Sequence, residues 1–297
     1  YYSHMSISKS KTLSLIVVSV YYLISFIASY LIVQLFEIKY MWIYILLWHL
    51  ISTLFIYLFS IIHKNSSIYD PFWSVAPIPI VIFLSIHSTN NLLINLLIII
   101  PIILWALRLT LNWIYSWNGL LHEDFRYIDL KDTTNGKAFI NNLFGIHIIP
   151  TLIVNISLFP ISYVLLNPVI YFNLLIFASI FSTAAVYLEY IADKQMKVFK
   201  SNNENHGKTM QKGLWKYSRH PNYLGEALFW VGVYLFGVSS GVTPLIILIC
   251  PLLMISLFIF ISCPMMDDRS MKKRSDYKEY MNNTSQLLLW PPKKRIG

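Results

Sequence analysis

The chain has 297 residues, 56% of them hydrophobic and 12% charged, with a formal net charge of +9 at pH 7. A charged share about half the roughly 25% of soluble domains, with a mean hydropathy of +0.57, excludes a soluble globular domain and a disordered chain alike. Apolar runs of membrane-spanning length recur from end to end, so the expected fold is all-α, a polytopic helical membrane protein with about seven or eight transmembrane helices.

Tyr1 to His4 precede Met5 and read as a cloning remnant, within a cytoplasmic N-terminus covering residues 1–12. The next apolar run is too long for a cleavable signal and lacks a small-residue cleavage site. The pattern predicts spans over Leu13–Phe36, Met41–Ile62, Pro71–His87, Leu92–Trp117, Leu143–Leu166, Pro168–Ala192, Leu224–Val238 and Val242–Cys263. Pro71, Pro77 and Pro79 break the third of these. Helix breakers persist in a membrane only where neighbouring protein re-satisfies the backbone. This segment is therefore expected to pack against other helices and line a cavity.

With the N-terminus inside, all of the 23 Lys and Arg residues except Lys39 and Arg108 fall on inner segments. That bias sets orientation by the positive-inside rule and places both termini in the cytoplasm. Contact with anionic lipid headgroups then accounts for the net charge without nucleic acid. The sizeable polar stretches, Asn118–Asn142, Asp193–Tyr223 and the tail after Pro264, all face the same side. One-sided polar surface without internal repeats points to a membrane enzyme fed from the cytoplasm rather than to a transporter. Cys250 and Cys263 share one apolar segment; a straight helix holds them roughly 20 Å apart, too far for a disulfide. Neither sits in a metal-ligand pattern, so no metal is expected.

Several polar clusters stand out against this background. Tyr69-Asp70-Pro71-Phe72-Trp73 opens the proline-broken span, with Asp70 at a capping position. Arg108 lies mid-span, where an ionised side chain faces a cavity or a carboxylate, and Asp70, Glu189 and Glu226 are all possible partners. Leu121-His122-Glu123-Asp124-Phe125-Arg126-Tyr127 follows in a cytoplasmic loop, suited to clamping a polar group or ordering the loop. Glu189 and Asp193 share a helix face ahead of Lys194, Lys197 and Lys200. The run Gly213-Leu214-Trp215-Lys216-Tyr217-Ser218-Arg219-His220-Pro221-Asn222-Tyr223-Leu224-Gly225-Glu226 is the most informative. Pro221 suits the first turn of a helix, so Arg219 and His220 stand beside an N-terminus that attracts anions. Asn222 and Glu226 share one face of that helix, and a carboxylate inside the membrane requires a partner or a role.

These residues resemble the steroid 5-alpha-reductase family, especially its branch long labelled only a domain of unknown function. The resemblance rests on Asp70 to Trp73, Leu104 to Leu109, Glu123 to Tyr127, Glu189-x3-Asp193, Gly213 to Glu226, Asp276-Tyr277-x2-Tyr280 and Leu289-Trp290-Pro291. It implies one integral membrane domain, with a substrate-side cavity among the helices of residues 13–117 and a cofactor-binding part over 118–297. It further implies NADPH on the cytoplasmic side, and a lipid or steroid-like enone entering from the membrane. By position it carries cofactor binding onto Glu189, Asp193, Lys200, Lys208 and Asn222, with Tyr217, Arg219, His220 and Tyr223 of the same block. Asp70 falls at or near the acidic residue that contacts the substrate carbonyl, and Arg108 and Glu226 join it as candidate catalytic residues.

The chemistry so implied is hydride addition to the β-carbon of an α,β-unsaturated ketone, with a hydrogen-bond donor stabilising the charge that builds on oxygen. A protonated Asp70 is one such donor. Where the steroid enzymes carry a tyrosine three positions before the arginine matching Arg108, this chain has Trp105, which donates a hydrogen bond but cannot transfer a proton; Tyr69 is a substitute close to Asp70 in sequence. Two other readings stand beside the reductase: an S-adenosylmethionine-dependent membrane methyltransferase of isoprenylcysteine or phospholipid type, and a non-catalytic lipid-binding relative. The host membrane is the bacterial inner membrane or the endoplasmic reticulum, and neither oligomeric state nor lipid substrate is specified.

Overall fold

The computed structural model describes residues 10–133 and 138–293. The expected remnant at Tyr1–His4 and the inner-side charges Lys9, Lys137, Lys294 and Arg295 lie outside the described residues. Among the described residues the chain is helical and contains no strand. Stretches long and apolar enough to cross a membrane are Lys11–Val33, Met41–His63, Ser66–Ile86, Leu92–Ser116, Phe139–Leu166, Phe172–Ser201 and Pro244–Lys273. The expected Leu224–Val238 span lies inside a helix over Pro221–Ser239. That helix falls short of these in apolarity because Asn222, Gly225, Glu226 and Gly232 interrupt it. The proline-broken stretch is the most buried, at 61% of its span window, as its need for protein neighbours requires.

The chain forms two compact units, the described part of Tyr1–Ser88 with Ile102–Leu166, and Thr89–Pro101 with Asn167–Gly297 as far as it is described. The first opens with α1 (Lys11–Val33), capped by Ser10 accepting from the Leu13 amide, and α2 (Met41–His63). Trp48 Nε1 donates to the Phe26 carbonyl at 3.0 Å and the Ser29 and Ser52 hydroxyls meet at 2.6 Å, joining the pair with hydrogen bonds inside the apolar layer. After α2 the backbone turns left-handed at Lys64, φ 52°. The broken stretch follows as a 3-10 turn (Ser66–Ile68), α3 (Phe72–Val75) and α4 (Pro77–Ile86). Phe72, fully buried, fills the space between α1 and α2: it stacks on Phe26 at 5.4 Å and meets Tyr22 edge-on at 5.5 Å. Next come α5 (Leu92–Ser116), within which the division into units falls at Pro101, and α6 (Phe125–Thr133). The remainder of this unit is α7 (Ala138–Asn141), a π-helical turn (Asn142–Ile148), α8 (Ile149–Ser157) and α9 (Phe159–Leu166).

The second unit is built on α10 (Phe172–Ser201) and α11 (Pro221–Ser239). Two glycines of α11 face α10. A Cβ on Gly225 would collide with Glu189 Cγ and stand 2.9 Å from the Ala185 carbonyl oxygen. A Cβ on Gly232 would overlap the Ser182 hydroxyl. Small residues thus bring the two backbones together, the usual device where lipid supplies no hydrophobic drive between helices. The unit ends in α12 (Pro244–Ile247), α13 (Ile249–Leu257), a π-helical turn (Phe258–Ser262), α14 (Cys263–Lys273) and α15 (Tyr277–Asn283). Cys250 and Cys263 are buried free thiols.

Candidate functional site

Asp70 and Arg108 belong to the first unit, whereas every other predicted site residue belongs to the second. Asp70 sits between the 3-10 turn and α3, where Pro71 ends the local amide ladder, and its carboxylate is 13% exposed. Its Oδ1 accepts from Arg126 Nη2 at 3.1 Å and from the Tyr127 hydroxyl. Arg126 is shared, its Nε donating to Asp124 Oδ1 at 2.7 Å. The loop bearing these residues is pinned to the broken span: the Ser66 amide donates to Glu123 Oε1 at 2.8 Å, and the Asp124 amide to Ser67 Oγ at 2.7 Å. Burial first, then the Asp70 charge, push the Tyr127 hydroxyl well above the usual phenol range, so it holds its proton at neutral pH.

Trp105, which stands where the resemblance leads one to expect a tyrosine, is fully buried and packs edge-on against Trp73 at 5.7 Å. Tyr69 is buried too, but its hydroxyl is 2.8 Å from Thr151 Oγ1, itself 2.8 Å from Thr53 Oγ1. Thr53 donates to the His49 carbonyl at 2.9 Å, so Thr151 donates to Thr53 and Tyr69 to Thr151. Tyr69 has spent its proton in the core. Tyr127 is the hydroxyl that faces Asp70. Arg108 is half-buried on α5.

In the second unit the Gly213–Glu226 block starts α11. Gly213 takes a positive φ of 59°, and the following amide of Leu214 donates to Gln195 Oε1 at 2.9 Å while Trp215 Nε1 donates to the Ala192 carbonyl at 2.9 Å. These bonds fix the approach to Pro221 against the end of α10. Asn222 Nδ2 donates to Asp193 Oδ1 at 3.2 Å, so two residues assigned to the cofactor meet directly. Glu189 is fully buried beneath Gly225, and Glu226, also buried, accepts from Trp230 Nε1 at 3.0 Å one turn along its own helix.

Arg219 and His220 face a different partner. Asp267 of α14 accepts from Arg219 Nη2 at 2.9 Å, bonds His220 Nε2 at 2.8 Å and accepts the Tyr277 hydroxyl. Arg219 Nη1 also donates to the Met281 and Thr284 carbonyls, at 2.8 and 3.1 Å, and Tyr223 stacks on the His220 ring at 5.4 Å. Burial, then the bond to Asp267, raise the Tyr277 hydroxyl far above its ordinary value. Tyr217 is 41% exposed, and its carbonyl accepts from the Trp290 amide at 3.1 Å. Asp267 escaped the sequence reading because it lies inside an apolar-to-basic transition with no recognisable spacing to the Arg-His pair.

A cleft of about 180 Å³ opens where α10 gives way to the following loop, lined by Lys200, Asn202, Asn205, Lys208 and Arg274 among others. Lys200 stands in the field of Arg274, Arg269 and Lys273, with Asp193 as its acidic neighbour. The resemblance points to Lys200 and Lys208 together but not to Arg274, contributed from just past α14, since nothing in the sequence links it to α10. Three cations around polar amides give this concavity a charge that suits an anion. At that volume, below the roughly 300–1,000 Å³ of a complete small-molecule pocket, it suits one end of a ligand.

No curated protein and no solved structure matches the chain significantly. Residues 56–284, a stretch that holds Asp70, the Arg126 loop, the Asp193–Asn222 pair and the basic cleft, match the family profile described as "Protein of unknown function (DUF1295)", and the chain belongs to that family.

Proposed function

We propose that this chain is an NADPH-dependent membrane oxidoreductase of the steroid 5-alpha-reductase kind, reducing a carbon–carbon double bond conjugated to a carbonyl in a lipid or steroid-like substrate. The observation that carries the reading is the Asp193–Asn222 bond at 3.2 Å, on an α10 that also delivers Lys200 to the basic cleft. The residues fit an anionic dinucleotide. Lys200, Lys208 and Arg274 match phosphate by charge, and Asp193 with Asn222 offers an acceptor and a donor to polar ring or ribose groups. When bound, NADPH supplies the hydride for the conjugated double bond.

The chain's own residues supply the rest. Tyr127 holds a proton at Oη in a buried setting and offers it to oxygen as negative charge develops there. Asp70 fixes the direction of that hydroxyl, and Arg126 balances the Asp70 charge. An arriving carbonyl oxygen competes with Asp70 Oδ1 for the Tyr127 proton. The departure of Trp105 from the family tyrosine is thereby met by a hydroxyl from another segment. Orientation follows the distribution of Lys and Arg, with both termini in the cytoplasm and the basic cleft on the side where the nucleotide resides.

Native mass spectrometry of gently solubilised protein, titrated separately with NADPH and S-adenosylmethionine, tests this. Retention of NADP(H) is the expected outcome, followed by loss of nicotinamide absorbance on adding an enone lipid. Retention of S-adenosylmethionine instead makes the chain a methyltransferase. Binding of neither favours the non-catalytic lipid-binding reading.

A further inference from the structure

The interface of α2 with α8 and the π-helical turn before it contains a ladder of polar side chains inside the apolar layer. Each step of one turn along α2 is answered by a step back along the antiparallel partner. His49 faces Asn155 at 3.3 Å, Thr53 faces Thr151 at 2.8 Å, and the Tyr57 ring meets the His147 ring at 5.1 Å between centroids. The Thr53–Thr151 rung closes on itself through the Tyr69 and His49 carbonyl bonds already described.

The two histidines differ. His147 is fully buried with both ring nitrogens engaged, Nδ1 donating to the Asn142 carbonyl at 3.0 Å and Nε2 lying 3.2 Å from the Ser60 hydroxyl. His49 is equally buried, at 1% exposure, and its Nδ1 takes the Asn155 amide, yet its Nε2 has no hydrogen-bond partner among the described residues. An amide nitrogen only donates, so Nδ1 is the acceptor and Nε2 carries the hydrogen. The result is one oriented N–H donor in an apolar, aromatic setting, with the Phe72 ring 6.0 Å away. Leaving such a donor unpaired forfeits the hydration it had in water, and buried polar groups in native structures are paired almost without exception.

We infer that His49 Nε2–H is the recognition group of an intramembrane ligand site, donating to a carbonyl or hydroxyl oxygen of an uncharged, membrane-soluble lipid. Asn155 is a positioning residue that holds the ring in the donating tautomer. Phe72 supplies the apolar wall, two residues from Asp70. A charged ligand is disfavoured, because no ionised side chain forms part of the ladder. This deepens the proposed function by placing a second polar contact on the substrate, but its recognition chemistry does not depend on the nucleotide.

The test is equilibrium binding of tritiated progesterone, an uncharged steroid with a carbonyl at each end, to the purified full chain in lipid nanodiscs without nucleotide. Binding by the wild type, weakened about tenfold in His49→Phe and largely kept in His49→Gln, is expected, tenfold being the worth of one neutral hydrogen bond. Thermal midpoints of both variants establish that they fold. Should His49→Phe misfold, Asn155→Leu, which frees the ring to turn, is expected to weaken binding with His49 intact. Equal affinity of wild type and a folded His49→Phe means that Nε2 meets only a buried water, and overturns the inference, as does failure of the wild type to bind. NADPH retention on the same samples separates the two ideas. Probe binding that depends on His49 without NADPH retention upholds this site and removes the reductase reading. NADPH retention with probe binding indifferent to His49 does the reverse.

Discussion

At the scale of single residues, the carboxylate at position 70 and the tyrosine at 127 form the most consequential pair. A phenol directed at a carboxylate is poised to donate, and its direction is lost if either partner changes. Tyr127→Phe is expected to slow the proposed enone reduction by on the order of 10²-fold, in line with loss of one oxyanion donor, while leaving the proposed NADPH retention intact. Asp70→Asn keeps the shape but substitutes an amide for the charge, and is expected to slow turnover less than Tyr127→Phe does. Single-turnover nicotinamide oxidation after premixing with substrate measures both, and wild-type rates in Tyr127→Phe would remove that hydroxyl from the mechanism. Asp70 was legible in the sequence because a carboxylate beside a proline at the mouth of a span is unusual. Its partner was not. Arg126 and Tyr127 stood out only as a charged loop motif, and the hydrogen bonds that return this loop to Ser66 and Ser67 join residues more than fifty positions apart. No local pattern encodes such a return.

At the scale of elements, the contact between α10 and α11 is governed by absent side chains. Gly225 lets the buried Glu189 side chain lie across it, and Gly232 admits Ser182. Gly225→Ala places a methyl against both the Glu189 stem and the Ala185 carbonyl. It is therefore expected to cost about 1–3 kcal/mol, as overpacking does, and to loosen the Asp193–Asn222 bond one turn away. A lowered thermal midpoint together with weakened NADPH retention would show it; an unchanged midpoint would mean that the helices separate without penalty. The helices themselves were readable from apolar runs, and their ends shifted for physical reasons. The sixth predicted span stops at Ala192, where apolar character ends, but the helix continues to Ser201. Backbone hydrogen bonding does not need an apolar face once the chain has left the lipid, and this extension carries Asp193, Lys197 and Lys200.

At the scale of the whole molecule, the placement of charge makes a prediction about sidedness. In a variant with Cys250 and Cys263 replaced by alanine, Lys39→Cys and Asn203→Cys are expected to react with a membrane-impermeant maleimide from opposite faces. Asn203 should be reachable only from the cytoplasm. Labelling of both from one face would contradict the orientation that the proposed nucleotide access requires. The count of apolar runs conveys the membrane class directly, because hydropathy is summed along the chain and needs no tertiary information. The α11 region shows where such summation weakens: residues chosen for helix contact and polar bonding lower the apolarity of the segment that holds the site.

The knot of Arg219, His220, Asp267 and Tyr277 also bears on biosynthesis. The start of α11 is tied to residues that leave the ribosome only after some fifty more amino acids have been added, and again to Ser285 and Trp290 through backbone bonds. A nascent chain can insert its apolar helices one by one, yet the approach to Asn222 gains its final bracing only as the closing stretch docks. Competence for the proposed nucleotide should therefore arise late and abruptly during synthesis, and a premature stop even beyond α14 should yield an inserted protein that has never acquired it.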